Sequence, residues 1–120
     1  MTIMNTYNIY IPTENGKRKI DCSQILYIET SLQFTRATFT NNETLEILLT
    51  MKEMEHLLAG QGYFKFNNKY FVNLLFVEIV FPSDAAKVIL ENGKEIFVNF
   101  NKKEELFENL LQVYDLHELI

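Results

Sequence analysis

The sequence has little of the residue types that mark secreted, membrane or metal-binding proteins. Its one cysteine, Cys22, cannot form a disulfide within the chain. One thiol and two distant histidines do not make a metal-ligand cluster. No apolar run approaches the roughly 20 residues that span a bilayer, and the N-terminus lacks a basic start followed by an apolar core. We therefore predict a cytoplasmic protein without a metal site.

Catalytic signatures are also missing. The four glycines do not form a phosphate-binding loop, and the chain has neither a nucleophile elbow nor a zinc-binding helix pattern. Carboxylates are numerous, but no spacing forces two of them into one pocket. We therefore predict that the chain is not an enzyme and that it uses no cofactor and no small-molecule substrate.

An overall excess of positive charge, the usual sign of a polyanion-binding protein, is absent. The chain has 11 Lys and Arg against 16 Asp and Glu, a net charge of −5. Residues 1–103 nevertheless balance, with 11 acids and 11 bases, because five acids lie in a tail without Lys or Arg. A nucleic-acid surface would therefore be a local patch on a neutral body. The five tail acids are Glu104, Glu105, Glu108, Asp115 and Glu118.

The length of 120 residues and the hydrophobic content of 48% predict one domain over residues 1–120. Apolar and polar residues alternate in short runs separated by turn sequences, which predicts a mainly β fold. A first strand is expected over residues 6–12, a central strand over 25–29 and a further strand over 34–40. Asn92-Gly93 lies between two alternating runs and is a strong hairpin signal.

Two helices are predicted from capping boxes and helical spacing. Thr50 with Glu53 begins a short amphipathic helix that ends near Gly60. Asn101 with Glu104 has the same spacing and predicts the start of a C-terminal helix. The predicted apolar face of that second helix comprises Leu106, Leu110, Val113 and Tyr114.

The stretch from Tyr63 to Leu74 contains a polar corner between two aromatic strands. Phe64 and Phe66 alternate with polar residues, and the run of bulky residues resumes at Tyr70. Between them, Asn67, Asn68 and Lys69 offer amide and ammonium groups in a segment fixed at both ends by packed rings. The alternative interpretation is an ordinary hairpin whose turn is polar.

These elements, in this order, resemble the LytTR family of bacterial DNA-binding domains. The family has a Tyr-Ile-Glu-like strand, here Tyr27-Ile28-Glu29, and a corner of the type Phe-x-Arg-x-His-Arg-Ser-Tyr-x-Val-Asn-Leu, here residues 63–74. A late Asp-Gly hairpin leading into Val-Ser-Arg corresponds to Asn92-Gly93 and residues 98–100. The resemblance covers roughly residues 6–111, and Val72-Asn73-Leu74 is its most specific part.

The resemblance implies about ten short strands in small antiparallel sheets, one short central helix and a C-terminal helix. It implies a transcriptional regulator, either free-standing or the output domain of a response regulator, whose loops enter successive major grooves of double-stranded DNA. It also implies a homodimer or paired copies on repeated sites. Carried over to this sequence, the DNA-contacting positions are Thr35, Arg36, Lys65, Asn67, Asn68, Lys69, Asn99, Asn101 and Lys102.

Several positions depart from the family pattern. Asn67 replaces the usual histidine, Lys69 the serine and Phe100 the late arginine. An asparagine amide can pair with adenine N6 and N7, and a lysine can approach guanine or a phosphate. An aromatic ring supplies neither the charge nor the fork of arginine, and Lys102 and Lys103 can replace only the charge. The alternative is therefore a LytTR-like fold that has lost DNA binding and acts as a protein-interaction module.

Overall fold

The computed structural model describes residues 8–81 and 87–113 of the chain. Within these ranges the chain forms ten strands and two α-helices, which confirms the predicted mainly β fold. In chain order they are β1 (Asn8–Thr13), β2 (Gly16–Asp21), β3 (Ile25–Thr30), β4 (Thr35–Phe39), β5 (Thr44–Ile47), α1 (Met51–Leu57), β6 (Tyr63–Lys65), β7 (Tyr70–Asn73), β8 (Val77–Phe81), β9 (Lys87–Leu90), β10 (Glu95–Phe97) and α2 (Lys103–Val113).

The strands form three antiparallel sheets. The central sheet has five strands in the order β5-β4-β3-β7-β6. β1 and β2 form a two-stranded hairpin, and β8, β9 and β10 form a three-stranded sheet with β9 in the middle. The predicted Asn92-Gly93 turn connects β9 to β10, and Gly93 has φ +89°, a conformation that glycine adopts without strain.

The central sheet lies between two hydrophobic cores because its side chains alternate between its two faces. Tyr27, Val72 and Phe64 pack on one face with the inner face of the three-stranded sheet and α2. Ile28 and Phe71 pack on the other face with α1 and the β1–β2 hairpin. A register shift between Ile25 and Tyr27 sends the consecutive residues Leu26 and Tyr27 into the same core.

The capping box predicted at α1 is confirmed. Thr50 Oγ1 accepts a hydrogen bond from Glu53 N at 3.1 Å, and Glu53 Oε1 accepts one from Thr50 N at 3.0 Å. Two of the N–H groups that a helix start leaves unpaired are satisfied in this way. Met51 and Met54 face the core, as their spacing indicated.

The second capping box is a wrong prediction. A 3-10 turn over Phe100–Lys102 precedes α2, so Asn101 lies inside a helical turn rather than ahead of one. The turn begins after Asn99, whose carbonyl oxygen accepts a hydrogen bond from Lys102 N at 2.8 Å. Leu106 and Leu110 are buried as predicted. Residues 6 and 7 of the first predicted strand, and Tyr114, Asp115 and Glu118, lie outside the described residues.

The asparagine of the Val72-Asn73-Leu74 match has a structural role. Asn73 is 1% exposed, and its Nδ2 donates to Ile25 O at 2.9 Å. Its Oδ1 accepts from Leu75 N at 3.1 Å, at the start of the 3-10 turn Leu74–Phe76. A buried amide with both ends bonded ties β7 to β3 and fixes where the chain leaves the central sheet.

Cys22 is expected to be unreactive in the folded protein. Its thiol is 3% exposed, and burial, aided by the nearby Asp21 carboxylate, raises the pKa of the thiol to about 11. The attacking thiolate is therefore scarce at pH 8. We expect labelling by a thiol-specific disulfide reagent to be slow in buffer and to become fast in denaturant. Rapid stoichiometric labelling of the native protein would contradict the buried position.

Neither a membrane-spanning helix nor a cluster of metal-ligating side chains is found in the part of the chain that the structure describes. No helix there is long and apolar enough to cross a bilayer. No three His, Cys, Asp or Glu side chains there lie close enough together to hold an ion.

Candidate nucleic-acid interface

Three loops meet at one end of the central sheet. The β3–β4 loop joins the polar corner through Thr30 N, which donates to Lys69 O at 3.0 Å. The connection from β10 to α2 joins the same corner through Asn99 N, which donates to Phe66 O at 2.9 Å. We call this surface the three-loop edge and define it as residues 31–34, 67–69 and 99–102. Segments distant in sequence thus form one continuous surface.

Asn67 holds the corner together. Its Oδ1 accepts from Lys69 N at 2.8 Å and from Tyr70 N at 2.9 Å. Its Nδ2 donates to Phe97 O at 2.8 Å, on the neighbouring sheet. Bidentate pairing with adenine requires a free amide oxygen and a free amide N–H together. Because both oxygen lone pairs are used within the protein, Asn67 as observed positions the loop.

Asn68 and Lys69 point away from the body of the protein. Both are exposed, and no described carboxylate lies within 4.0 Å of the Lys69 ammonium. The ammonium lies 5.4 Å from the centre of the Tyr70 ring, and the ring restricts where the lysine can reach. The Asn68 amide and the Lys69 ammonium are therefore exposed side by side on a loop that the hydrogen bonds of Asn67 hold in place.

The third loop adds further polar groups. Asn99 and Asn101 are exposed, and Lys102 is half-buried. Lys102 Nζ donates to Lys65 O at 3.4 Å, which holds its charge beside the corner. Acidic groups are also present, since Glu104 and Glu105 are exposed on the first turn of α2.

Thr35 is a correction to the sequence-based site. It is 5% exposed and pairs with Thr30 on one side and Ile47 on the other. Its side chain leaves the same face of the sheet as Ala37, toward the core below the β1–β2 hairpin. A side chain buried there cannot contact DNA.

Arg36 lies on the opposite face of the sheet from Thr35, in a row of cross-strand ion pairs. Its guanidinium is 3.0 Å from Glu46 on β5 and 3.8 Å from Glu29 on β3. The guanidinium carbon also lies 4.1 Å from the centre of the Phe34 ring. The arginine is thus held over the sheet, two residues beyond the three-loop edge.

Lys65 is likewise set back from the edge. Its side chain leaves the face that packs against α1, and its Nζ is 3.4 Å from Glu55 Oε2. Ion pairs with this much exposure contribute about 0–1 kcal/mol. The structure therefore does not bring Arg36 and Lys65 together with the exposed groups of the corner.

A second lysine next to the corner was not predicted from the sequence. Lys94 Nζ lies 5.3 Å from the centre of the Tyr70 ring, so that ring has an ammonium from Lys94 as well as from Lys69. A hydrogen bond to the Tyr70 side chain raises the pKa of the Lys94 ammonium, with the Glu29 carboxylate a smaller cause. The Asn92-Gly93 sequence predicted the hairpin. It did not predict that the following residue, Lys94, would lie beside the polar corner.

The β3–β4 loop also contains candidate residues that sequence reasoning missed. Ser31, Leu32 and Gln33 are exposed, and Leu32 is 105% exposed. Gln33 carries an amide of the kind that pairs with adenine. The polar sequence between the strands predicted a loop there, but the resemblance placed the contacts at residues 35 and 36, which belong to β4.

The model of the LytTr DNA-binding domain family matches residues 15–111. Among solved structures, the LytTr DNA-binding domain of a response regulator from Bacillus cereus matches with a TM-score of 0.69 and 19% sequence identity. The match covers 87% of this chain and 95% of that one. At this identity the structural match shows a shared fold.

No curated protein matches the sequence. The match to the family model spans β2 to α2 and includes the whole three-loop edge. The resemblance based on the strand, the corner and the late hairpin is therefore confirmed, and the chain belongs to the LytTR family of DNA-binding domains.

Proposed function

We propose that this protein is the output domain of a bacterial transcriptional regulator and that it reads double-stranded DNA through the three-loop edge. The observation that carries the proposal is the bonding of three separate loops into one surface with exposed amides and an ammonium. Such groups match the donors and acceptors that base edges and phosphates present. A regulator that binds chromosomal DNA works in the cytoplasm, which agrees with the predicted location.

The groups of the edge divide into positioning and reading roles. Asn67 fixes the corner from within. The exposed amides of Gln33, Asn68 and Asn99 are the candidates for contact with bases in the major groove. Lys69 and Lys102 are the candidates for phosphate contacts. One such edge reads a few base pairs, so we propose that two copies bind repeated half-sites.

The test begins with selection of bound duplexes from a random pool at moderate salt. The selected duplex then serves to compare Asn68→Ala with Lys69→Ala. We expect Asn68→Ala to relax discrimination at one or two base positions by roughly 1–3 kcal/mol, since it removes a base-edge contact. Equal affinity of this variant and the unmodified protein for all single-base variants of the site would exclude Asn68 as a reader.

Lys69→Ala is expected to act differently from Asn68→Ala. Removing a phosphate contact should weaken binding to all duplexes by a similar factor and reduce the slope of log K against log salt by about 0.9. Binding curves at four or more salt concentrations measure both quantities. A slope equal to that of the unmodified protein would rule out a phosphate contact at this position.

A protein-interaction function is the second candidate, and one surface favours it. The outer face of the β8–β10 sheet exposes Phe97 by 54% and Ile79 by 44%. The partly buried Phe81 and Ile89 lie on the same face, around the Lys87–Glu95 ion pair. Apolar side chains grouped in this way often bind proteins. Failure to bind any duplex from the pool at about 50 mM salt would favour this second function.

A further inference from the structure

The β1–β2 hairpin has the highest density of unpaired positive charge in the described chain. Lys17, Arg18 and Lys19 are consecutive and exposed. Among the described residues, no carboxylate lies within 4.0 Å of any of these three cationic groups. The three-loop edge has two such cations, Lys69 and Lys102, with the half-buried Lys94 beside it, although the chain belongs to a family of DNA-binding domains. The hairpin therefore adds three exposed cations to those at the edge.

Strand alternation separates the three cations. Arg18 pairs with the fully buried Ile11, so its side chain starts from the face that covers the core. It also lines a shallow depression, together with Lys19, Asp21 and Glu43. Lys17 and Lys19 leave the outer face, and Lys19 pairs with Tyr10, which is 67% exposed. The outer face therefore presents two ammonium groups and a phenol, with the Asp21 carboxylate two residues beyond Lys19 on the same face.

The tip of the hairpin lies at the same end of the central sheet as the three-loop edge. Leu48, which follows β5, donates from N to Pro12 O at 2.9 Å. Its neighbour Ile47 pairs with Thr35, and Thr35 pairs with Thr30 at the start of the β3–β4 loop. Lys17 pairs with Pro12, so it lies near this end, and Lys19 is about 7 Å farther back along the strand.

The hairpin is too far from the corner to share its bases. β5 is three strands away from β7, and the hairpin lies in the next layer. Strand and layer spacings place its tip roughly 17 Å or more from Lys69. This distance corresponds to about five base pairs at about 3.4 Å per step. A contact there would be to the backbone beside the base pairs that the edge reads.

We propose that the outer face of the β1–β2 hairpin, through Lys17 and Lys19, binds DNA phosphates that flank the half-site. The inference rests on the proposed function, since it assumes a duplex on the three-loop edge. The Tyr10 hydroxyl can donate to the same backbone. The hairpin adds affinity without sequence preference, which compensates for the small number of unpaired cations at the edge.

The test compares the double variant Lys17→Gln/Lys19→Gln with Arg18→Gln on the selected duplex. Arg18→Gln is the control, because it removes one positive charge from the next residue of β2, whose side chain starts from the opposite face of the hairpin. We expect the double variant to lower the slope of log K against log salt by about 1.8 and affinity at 0.1 M salt by roughly tenfold or more. Arg18→Gln should leave the slope close to that of the unmodified protein.

Duplex length provides a second readout. On a duplex trimmed to the base pairs protected by the three-loop edge, the double variant and the unmodified protein should bind equally. An unchanged slope in the double variant, an equal loss in Arg18→Gln, or an equal loss on the trimmed duplex would each overturn the hairpin contact. If the unmodified protein bound no duplex, the proposed function would fail together with the hairpin contact. If Lys69→Ala lost affinity but the double variant did not, only the hairpin contact would fail.

Discussion

Replacing Phe66 with alanine is expected to destabilise the protein by about 3–5 kcal/mol, the usual cost of truncating a buried phenylalanine. The Phe66 side chain is fully buried and meets the Phe64 ring edge-on, with 5.6 Å between centroids. Its backbone N and O bond to Tyr70 O and Asn99 N, so the residue also anchors two of the three loops. Urea unfolding followed by circular dichroism measures the change.

Phe97→Ala is the matched control for this variant. It removes the same ring from a position that is 54% exposed, in β10. A surface truncation of this kind changes stability by about 0.5 kcal/mol or less. The two variants could instead have the same urea midpoint within error. That result would show that the Phe66 ring does not fill the core between the central sheet and α2.

Asn67→Ala is expected to lower DNA affinity on every sequence and to destabilise the protein. The change removes three hydrogen bonds, to Lys69 N, Tyr70 N and Phe97 O. Each bond contributes about 0.5–1.5 kcal/mol, so roughly 1.5–4.5 kcal/mol of stability should be lost. Because the loop that presents Asn68 and Lys69 is no longer fixed, the affinity for specific and non-specific duplexes should fall together by about tenfold or more.

Asn68→Ala is the control for this second prediction. It truncates the same side chain one residue later, at an exposed position, and should leave the urea midpoint unchanged. Competition binding against the selected site and its single-base variants separates the two effects. If Asn67→Ala kept the stability of the unmodified protein and lost discrimination at one base position only, Asn67 would be a base reader and its observed bonds would be incidental.

The sequence predicted the kinds of element and most of their order. Alternation, turn residues, helical spacing and one capping box indicated a series of short strands, α1 and α2, because these signals act over a few neighbouring residues. The number of strands, about ten, was implied by the resemblance. Asn101 shows the limit of such signals. Its spacing to Glu104 fits a capping box, but the carbonyl of Asn99 begins a helical turn before Asn101 is reached.

The strand, the corner and the late hairpin that resemble the LytTR family also predicted which loops contact DNA. The sequence did not determine which side chains face outward. Thr35 and Arg36 are adjacent in sequence, but one is buried and the other lies in a row of ion pairs. Strand alternation separates neighbours, and only the pairing of β4 with β3 and β5 decides which face meets a core.

The role of Asn67 depended on tertiary structure in the same way. From the sequence it was one of three polar residues in a turn, and its amide was equally suited to bind DNA or to hold the loop. The strand that brings Phe97 O to within 2.8 Å of its Nδ2 lies 30 residues later in the chain. Local patterns thus determined the elements and the family of this protein. Contacts between distant segments decided which polar groups satisfy each other and which are left for a partner, because a hydrogen bond made inside the protein occupies the atoms that a base would need.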